Sequence, residues 1–322
     1  MLNFSRVVGL ACAFVLMTSA TVASRRLPNS SGDARGTAPL RLSGKINGAL
    51  VELQFQPWFA GAVSGLQFRG KRYVNTADHG RLIQSAVSFD GWGECLNPTE
   101  AGSVSDGRQR KTTSVLLAAE VNGYTARLRT RMAYWMPPGA AHLVNTKDLG
   151  VRKTPQPCRV DETEQAITTA INKTAVSDVV LDKRISLGSP LPNVVRFDIG
   201  YEIPRRHKAA TFEVLTAYLE PDFDHFLELD PKTGTLLPFK SQRSGRRPLV
   251  AATRDGRHAV AFVAPNNDLL LGAFAWPDTS KLNCFIAKAP VQAGKHEFTC
   301  SIIVGTVGEV KSSLMKLTAG RN

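Results

Sequence analysis

The chain has 322 residues, 43% of them hydrophobic and 21% charged, with 40 Lys and Arg against 27 Asp and Glu for a formal net charge of +13. So strong a positive field implies acidic company. With the export signal read below, nucleic acid is set aside as a partner, which leaves acidic polysaccharide, lipopolysaccharide or general attraction to a cell envelope, beside the plainer reading of a basic soluble surface.

Residues 1–24 read as a removable signal peptide: Arg6 precedes an apolar run from Val7 to Met17, and small residues from Thr18 to Ser24 suit cleavage near Ala23 or Ser24. The apolar run is about half of the roughly 20 residues that a membrane span needs. Its removal leaves 298 residues with a charge of +12, because Arg6 is the only charged side chain lost. A periplasmic or extracellular location is therefore expected. Residues 25–40, rich in Arg, Ser, Gly, Asn and Pro without apolar period, are expected to be a disordered leader, and 41–318 a single domain.

That domain reads as strands. Leu50 to Phe55 alternates, Ala62 to Arg69 follows a glycine, and Ser114 to Glu120 precedes Asn122-Gly123, a pair suited to the positive φ values of a type I′ hairpin turn. Further runs are Val194 to Ile203, Thr211 to Leu219, Phe223 to Leu229, His258 to Val263, Leu269 to Trp276 and Phe298 to Gly305. Helical periods are confined to a short polar stretch, Asp161 to Thr174, and a last turn, Val310 to Leu317. Many short strands punctuated by Gly, Pro and Asn predict an all-β fold, a sandwich or a related architecture.

Four cysteines remain after signal removal, Cys95, Cys158, Cys284 and Cys300, and in an oxidising compartment they allow three connectivities. Cys284 with Cys300 is favoured, because both flank the turn from Lys288 to Gly294; Cys95 with Cys158 then follows by elimination.

The densest polar text runs from Asn75 to Gln84 and from Phe89 to Gly102, where charged, amide and aromatic residues alternate with glycines that let backbone approach a ligand. A sugar cleft needs that mixture: an aromatic platform, here Trp92; groups for vicinal hydroxyls, here Arg81, Gln84 and Asn97; and carboxylates for proton transfer, here Glu94 and Glu100. Each has a structural alternative. Arg81 would serve as an ion-pair partner of Asp78 or Asp90, Asn97 as a turn initiator, Trp92 as a core cap and His79 as a hydrogen-bonded structural residue. Asp222, Asp224 and His225 are further proton-transfer candidates, with Glu213 and Tyr218 on the strand before them. Motifs for serine-elbow hydrolysis, zinc ligation and nucleotide phosphate binding do not occur, and no cofactor or metal is expected.

At Asn75 to Gln84, and again from Gln292 to Gly305, the sequence resembles the galactose mutarotase-like β-supersandwich group. The resemblance implies a large two-layer antiparallel sandwich with a sugar cleft, on which Arg81 and Asn75 would touch the sugar from an early strand. The aldose mutarotase acid and base motifs are not matched: His79-Gly80 stands on the wrong strand for the acid, and Asp268 and Asp278 stand where a glutamate base would. The reading is thus an exported glycan-cleaving or glycan-modifying protein of glycoside hydrolase or polysaccharide lyase type. In a hydrolase Glu94 and Glu100 act across the bond; in a lyase Arg81 neutralises a uronate while His79 or a tyrosine takes the proton. The competing readings are a non-catalytic glycan-binding or envelope-associated protein and a structural envelope protein.

Overall fold

The computed structural model describes residues 25–26, 39–91, 94–135, 176–265 and 268–319. In chain order the strands begin with β1 (Arg25–Arg26), β2 (Leu40–Ile46), β3 (Ala49–Phe55), β4 (Val63–Phe68), β5 (Lys71–Arg72), β6 (Ile83–Phe89) and β7 (Pro98–Thr99). They continue as β8 (Val115–Asn122), β9 (Thr125–Tyr134), β10 (Val176–Leu187), β11 (Val194–Ile203), β12 (Ala210–Leu219) and β13 (His225–Asp230). The last are β14 (Thr235–Pro238), β15 (Arg243–Gly245), β16 (Leu249–Ala252), β17 (Ala259–Val263), β18 (Leu270–Trp276), β19 (Thr279–Lys288) and β20 (Gly294–Gly305), followed by helix α1 (Val307–Thr318).

Pairing sorts these strands into two antiparallel layers. One runs β2-β3-β4-β6-β12-β19-β18-β15. The other runs β8-β9-β10-β11-β20-β17-β16-β13-β14. The two-residue β7 pairs with both β6 and β9 and so joins the layers. The expected all-β sandwich is the observed fold. Its physical origin is the period of two: along β10, residues 177, 179, 181, 183, 185 and 187 are buried while their neighbours face outward. Between the layers lie Leu53, Phe68, Phe197, Tyr201, Phe212 and Phe262, all nearly inaccessible to solvent.

Turn chemistry fixes the register. Ile46 pairs with Ala49 across Asn47-Gly48, and both turn residues have positive φ (49° and 80°), the type I′ signature. The expected Asn122-Gly123 hairpin forms one residue later. Asn122 pairs with Thr125, and Gly123 is the first of the two turn residues at φ 55°, the position that a type II′ turn reserves for glycine. The predicted last helical turn is longer than expected, because Thr306 and Glu309 cap it reciprocally. Glu309 also accepts from Asn47 and Arg69, which ties α1 to two hairpin turns.

Cys284 and Cys300 are disulfide-bonded, as the sequence favours, but not as members of a hairpin. Cys284 lies on β19, paired with β12 and β18; Cys300 lies on β20, paired with β11 and β17. The bond therefore staples one layer to the other. Replacing both cysteines with serine should lower unfolding stability by about 3 kcal/mol, the chain-entropy value for a closed loop of this order, read as a shift of the urea midpoint. Cys158, the signal segment and Asp161 to Thr174 lie outside the described residues.

Candidate functional site

A groove of about 460 Å³ opens over β6, β12 and β19 and is walled by the loops around them. Its floor is polar text on strands: Glu213, Thr216 and Tyr218 from β12 and Lys281 from β19. Thr216 Oγ1 donates to Glu213 Oε2 at 2.8 Å, and Lys281 Nζ lies 3.5 Å from the same carboxylate. The Lys281 ammonium also sits 5.3 Å from the Tyr218 ring centre and 5.6 Å from that of Phe274. Burial, the largest influence, pushes the Tyr218 phenol up, and the Glu213 and Glu94 carboxylates add to it. Tyr218 is thereby kept protonated and able to donate. Burial works to lower the Lys281 ammonium, but Glu213 and the Tyr218 oxygen outweigh it and hold it above its ordinary range.

Two tryptophans stand on the walls. Trp135 follows β9 and its backbone N–H donates to Asn97 O at 2.9 Å; its indole occupies the space beside Gly80, where an added Cβ would lie 2.9 Å from Cη2. Only glycine at position 80 seats that ring. Trp276 ends β18, is 44% exposed and stacks on Phe274 at 6.1 Å and 17°. The turn after it is fastened from across the groove. Arg81 pairs with the Asp278 carboxylate and approaches Asp78 at 3.7 Å, and Asn75 Nδ2 donates to Asp278 O at 3.0 Å. Glu94, in a short 3-10 turn, and Asn97 complete the rim.

The residues singled out in the sequence divide accordingly. Arg81, Glu94 and Asn97 come together at the groove. Arg81 and Asn75 stand in the loop before β6 rather than on a strand, where both hold the Asp278 turn, so Asn75 has a structural place. Gln84 borders the groove but spends its amide on the backbone, donating to His79 O and Gly80 O and accepting from Ala101 N–H. His79 is fully buried behind the wall, with its ring nitrogens 2.7 Å from Gly107 O and 3.0 Å from Trp58 O and its edge against Phe59. Such a histidine is in no position to reach a substrate proton.

Glu100 is the clearest departure. It is fully buried between the layers, with both oxygens 2.5 Å from Lys183 Nζ and one accepting the Ser85 N–H. Burial, the largest influence, pushes the Glu100 carboxyl up and the Lys183 ammonium down, while their mutual attraction opposes both shifts. This pair belongs to the core. Asp222 and Asp224 pair with Lys71 and Arg254 in a separate surface hollow. Trp92 lies outside the described residues. The sequence reading passed over Trp135, Trp276 and Lys281. Their signal is positional: Trp276 ends a strand at a Pro-Asp turn, and Lys281 is a charged residue between buried Ser280 and Leu282.

No family model matches the chain, and no curated protein matches it at a significant level. Solved structures do. The Slr1438 protein from Synechocystis sp. PCC 6803 is 13% identical with a TM-score of 0.40, covering 87% of this chain and 100% of that one. A candidate aldose 1-epimerase from Escherichia coli K12 is 6% identical with a TM-score of 0.41, covering 84% and 100%. The heparan sulfate lyase HepC from Pedobacter heparinus is 10% identical with a TM-score of 0.40, covering 87% of this chain and 37% of that one.

Proposed function

We propose that this is an exported carbohydrate-active protein that binds a glycan in the groove over β6, β12 and β19 and cleaves it hydrolytically. The observation that supports this most is the composition of the groove: Trp135 and Trp276 offer aromatic faces to sugar C–H surfaces, while Glu94, Glu213 and Tyr218 supply groups for proton transfer between them. Hydrolysis asks for two carboxyls at the scissile bond, one protonating the leaving oxygen and the other activating water or attacking the anomeric carbon. Glu94 and Glu213 take those places, with Tyr218 close to both. A lyase would instead need a cation to neutralise a uronate, but Arg81 is engaged by Asp278 and Lys281 by Glu213. Hydrolysis is therefore the better supported chemistry.

The test is a glycan-binding screen of the protein and its Trp276→Ala variant. Because Trp276 is exposed, the variant should fold normally and bind about tenfold more weakly, the loss expected when an anchoring aromatic worth ~1.4 kcal/mol is removed. Binding that survives unchanged would move the site elsewhere.

The net charge of +13 is a separate matter from the groove. It supports long-range attraction to anionic polymers such as acidic polysaccharide. Retention on a heparin-like matrix should fall steeply between low and high salt, since exposed charges are screened beyond ~10 Å at 0.1 M. Retention that ignores salt would count against this attraction.

A further inference from the structure

Two crossings of the chain between the layers share one end of the sandwich. β11 passes to β12 through residues 204–209, and β19 returns to β20 through residues 289–293. The crossings are bridged, the His207 backbone N–H donating to Val291 O at 2.9 Å and the Val291 N–H to His207 O at 3.0 Å. Together, residues 204–209 and 288–296 hold Arg205, Arg206, Lys208, Lys288 and Lys295, with two histidines and no Asp or Glu.

This basic end is also firmly built. His207 is buried, with Nδ1 3.0 Å from Asp90 Oδ2 and its ring stacked on Phe89 at 3.9 Å and 17°. The Ala209 N–H donates to the other Asp90 oxygen at 3.0 Å, and beside the second crossing the His296 Nε2 lies 2.8 Å from Gln292 O. Basic turns are commonly no more than solvated, but these are held in place before a partner arrives, which lowers the ordering entropy that binding costs. The carboxylates that touch the end are already committed. Asp90 holds His207 and Ala209, Glu297 pairs with Lys295 at 2.7 Å, and Asp178 lies 3.9 Å from Arg205. Arg206, Lys208 and Lys288 are exposed and have no carboxylate partner among the described residues. Because His207 turns inward, Arg206 and Lys208 on either side of it turn outward, ~7 Å apart along an extended chain. The exposed large apolar side chains among the described residues, Leu50, Tyr124, Leu237 and Trp276, all lie outside these crossings. A membrane-binding surface would combine its basic residues with such apolar anchors.

We propose that this end of the sandwich is a docking surface for an acidic polysaccharide, with Arg206, Lys208 and Lys288 meeting its sulfate or carboxylate groups. The guanidinium fork of Arg206 suits either group in a bidentate contact, and the two ammoniums add charge without fixing direction. The surface is separate from the groove over β6, β12 and β19, whose lining includes none of these three residues. It gives the overall positive charge a place of action, and it does not depend on what the groove binds.

The experiment is calorimetric titration with a heparin decasaccharide at 0.1 M salt. It compares the full chain with Arg206→Gln/Lys208→Gln/Lys288→Gln and with Lys232→Gln/Lys240→Gln/Lys311→Gln, a control that removes the same charge from exposed positions elsewhere. The first triple variant should bind about tenfold more weakly, the sum expected of three exposed ion contacts, at an unchanged melting temperature. The control should stay within about twofold of the parent, because distant charges are screened at this salt. If the first triple melts early, Arg206→Gln and Lys208→Gln carry the same test singly, each with an expected loss of about twofold. Equal losses in the two triples would mean that charge acts diffusely, and no loss in the first would place binding elsewhere; either result overturns the assignment. Parallel titrations with phosphatidylglycerol vesicles and with a DNA duplex test the other anionic partners. Tighter binding of either one, lost in the first triple and kept in the control, would overturn the polysaccharide as the partner.

Discussion

Lys183→Met should lower the unfolding free energy by about 3–5 kcal/mol, the usual consequence of removing one partner of a buried ion pair. Lys183 is 1% exposed and Glu100 is wholly inaccessible, so the substitution leaves a carboxyl between the layers with only the Ser85 N–H to satisfy it. That carboxyl must then take up a proton or draw water into the core. Since 1 kcal/mol moves the melting temperature of a domain of this size by about 2–4 °C, the drop should be near or above 10 °C. Adding Glu100→Leu to Lys183→Met should recover much of the loss, because a well-packed apolar pair often replaces a buried salt bridge at little cost. A single variant that melts with the parent would mean that Glu100 is solvated and not part of the core.

The second large effect concerns turnover. Glu213→Gln and Glu94→Gln should each reduce glycan cleavage by about 10²–10⁴-fold, the range that a positioned proton-transfer group contributes. Glutamine keeps the shape of glutamate and can still accept from Thr216 Oγ1, so at position 213 the fold and the glycan affinity should be retained. The measurements are reducing-end release, melting temperature and binding constant on each variant. A protein that only binds glycan has no turnover to lose and would show unchanged affinity with no release in either form. If the Gln variants instead melted early, Glu213 would be a structural partner of Lys281 and nothing more.

The fold was legible because its cause is local. Val194 to Ile203 coincides with β11, and Leu269 to Trp276 nearly coincides with β18, since alternation and flanking turn residues are written into a few consecutive positions. The site was legible only in part. Glu94 and Glu100 look alike in sequence, six residues apart in Gly- and Pro-rich text, yet one stands on a rim and the other in the core. What separates them is β7, whose two residues pair with strands of both layers and carry the next residue inward. No local pattern around Glu100 announces that. The informative signal sits more than eighty residues away on β10, where Leu181, Lys183 and Ile185 share the buried phase and a lysine in that series calls for an acid opposite. Trp135 and Trp276 meet in one groove for the same reason, through strand order and not through spacing.

The joints between the layers also decide how the molecule can move. β7 shares hydrogen bonds with β6 and β9, and Cys284–Cys300 ties β19 to β20 at a different place along each sheet. A sandwich fastened at one point could open like a book about that spine; joints at separate places, with the Lys183–Glu100 pair and the Tyr201 hydroxyl near Ala86 O and Glu213 O also crossing between the layers, oppose that motion. The segments above the sheets are held by fewer bonds, among them the Trp276-Pro277-Asp278 turn, whose latch to Arg81 and Asn75 is made of one ion pair and one hydrogen bond. The floor of the groove is thus set by strand pairing, while its Asp278 edge is held by side-chain contacts.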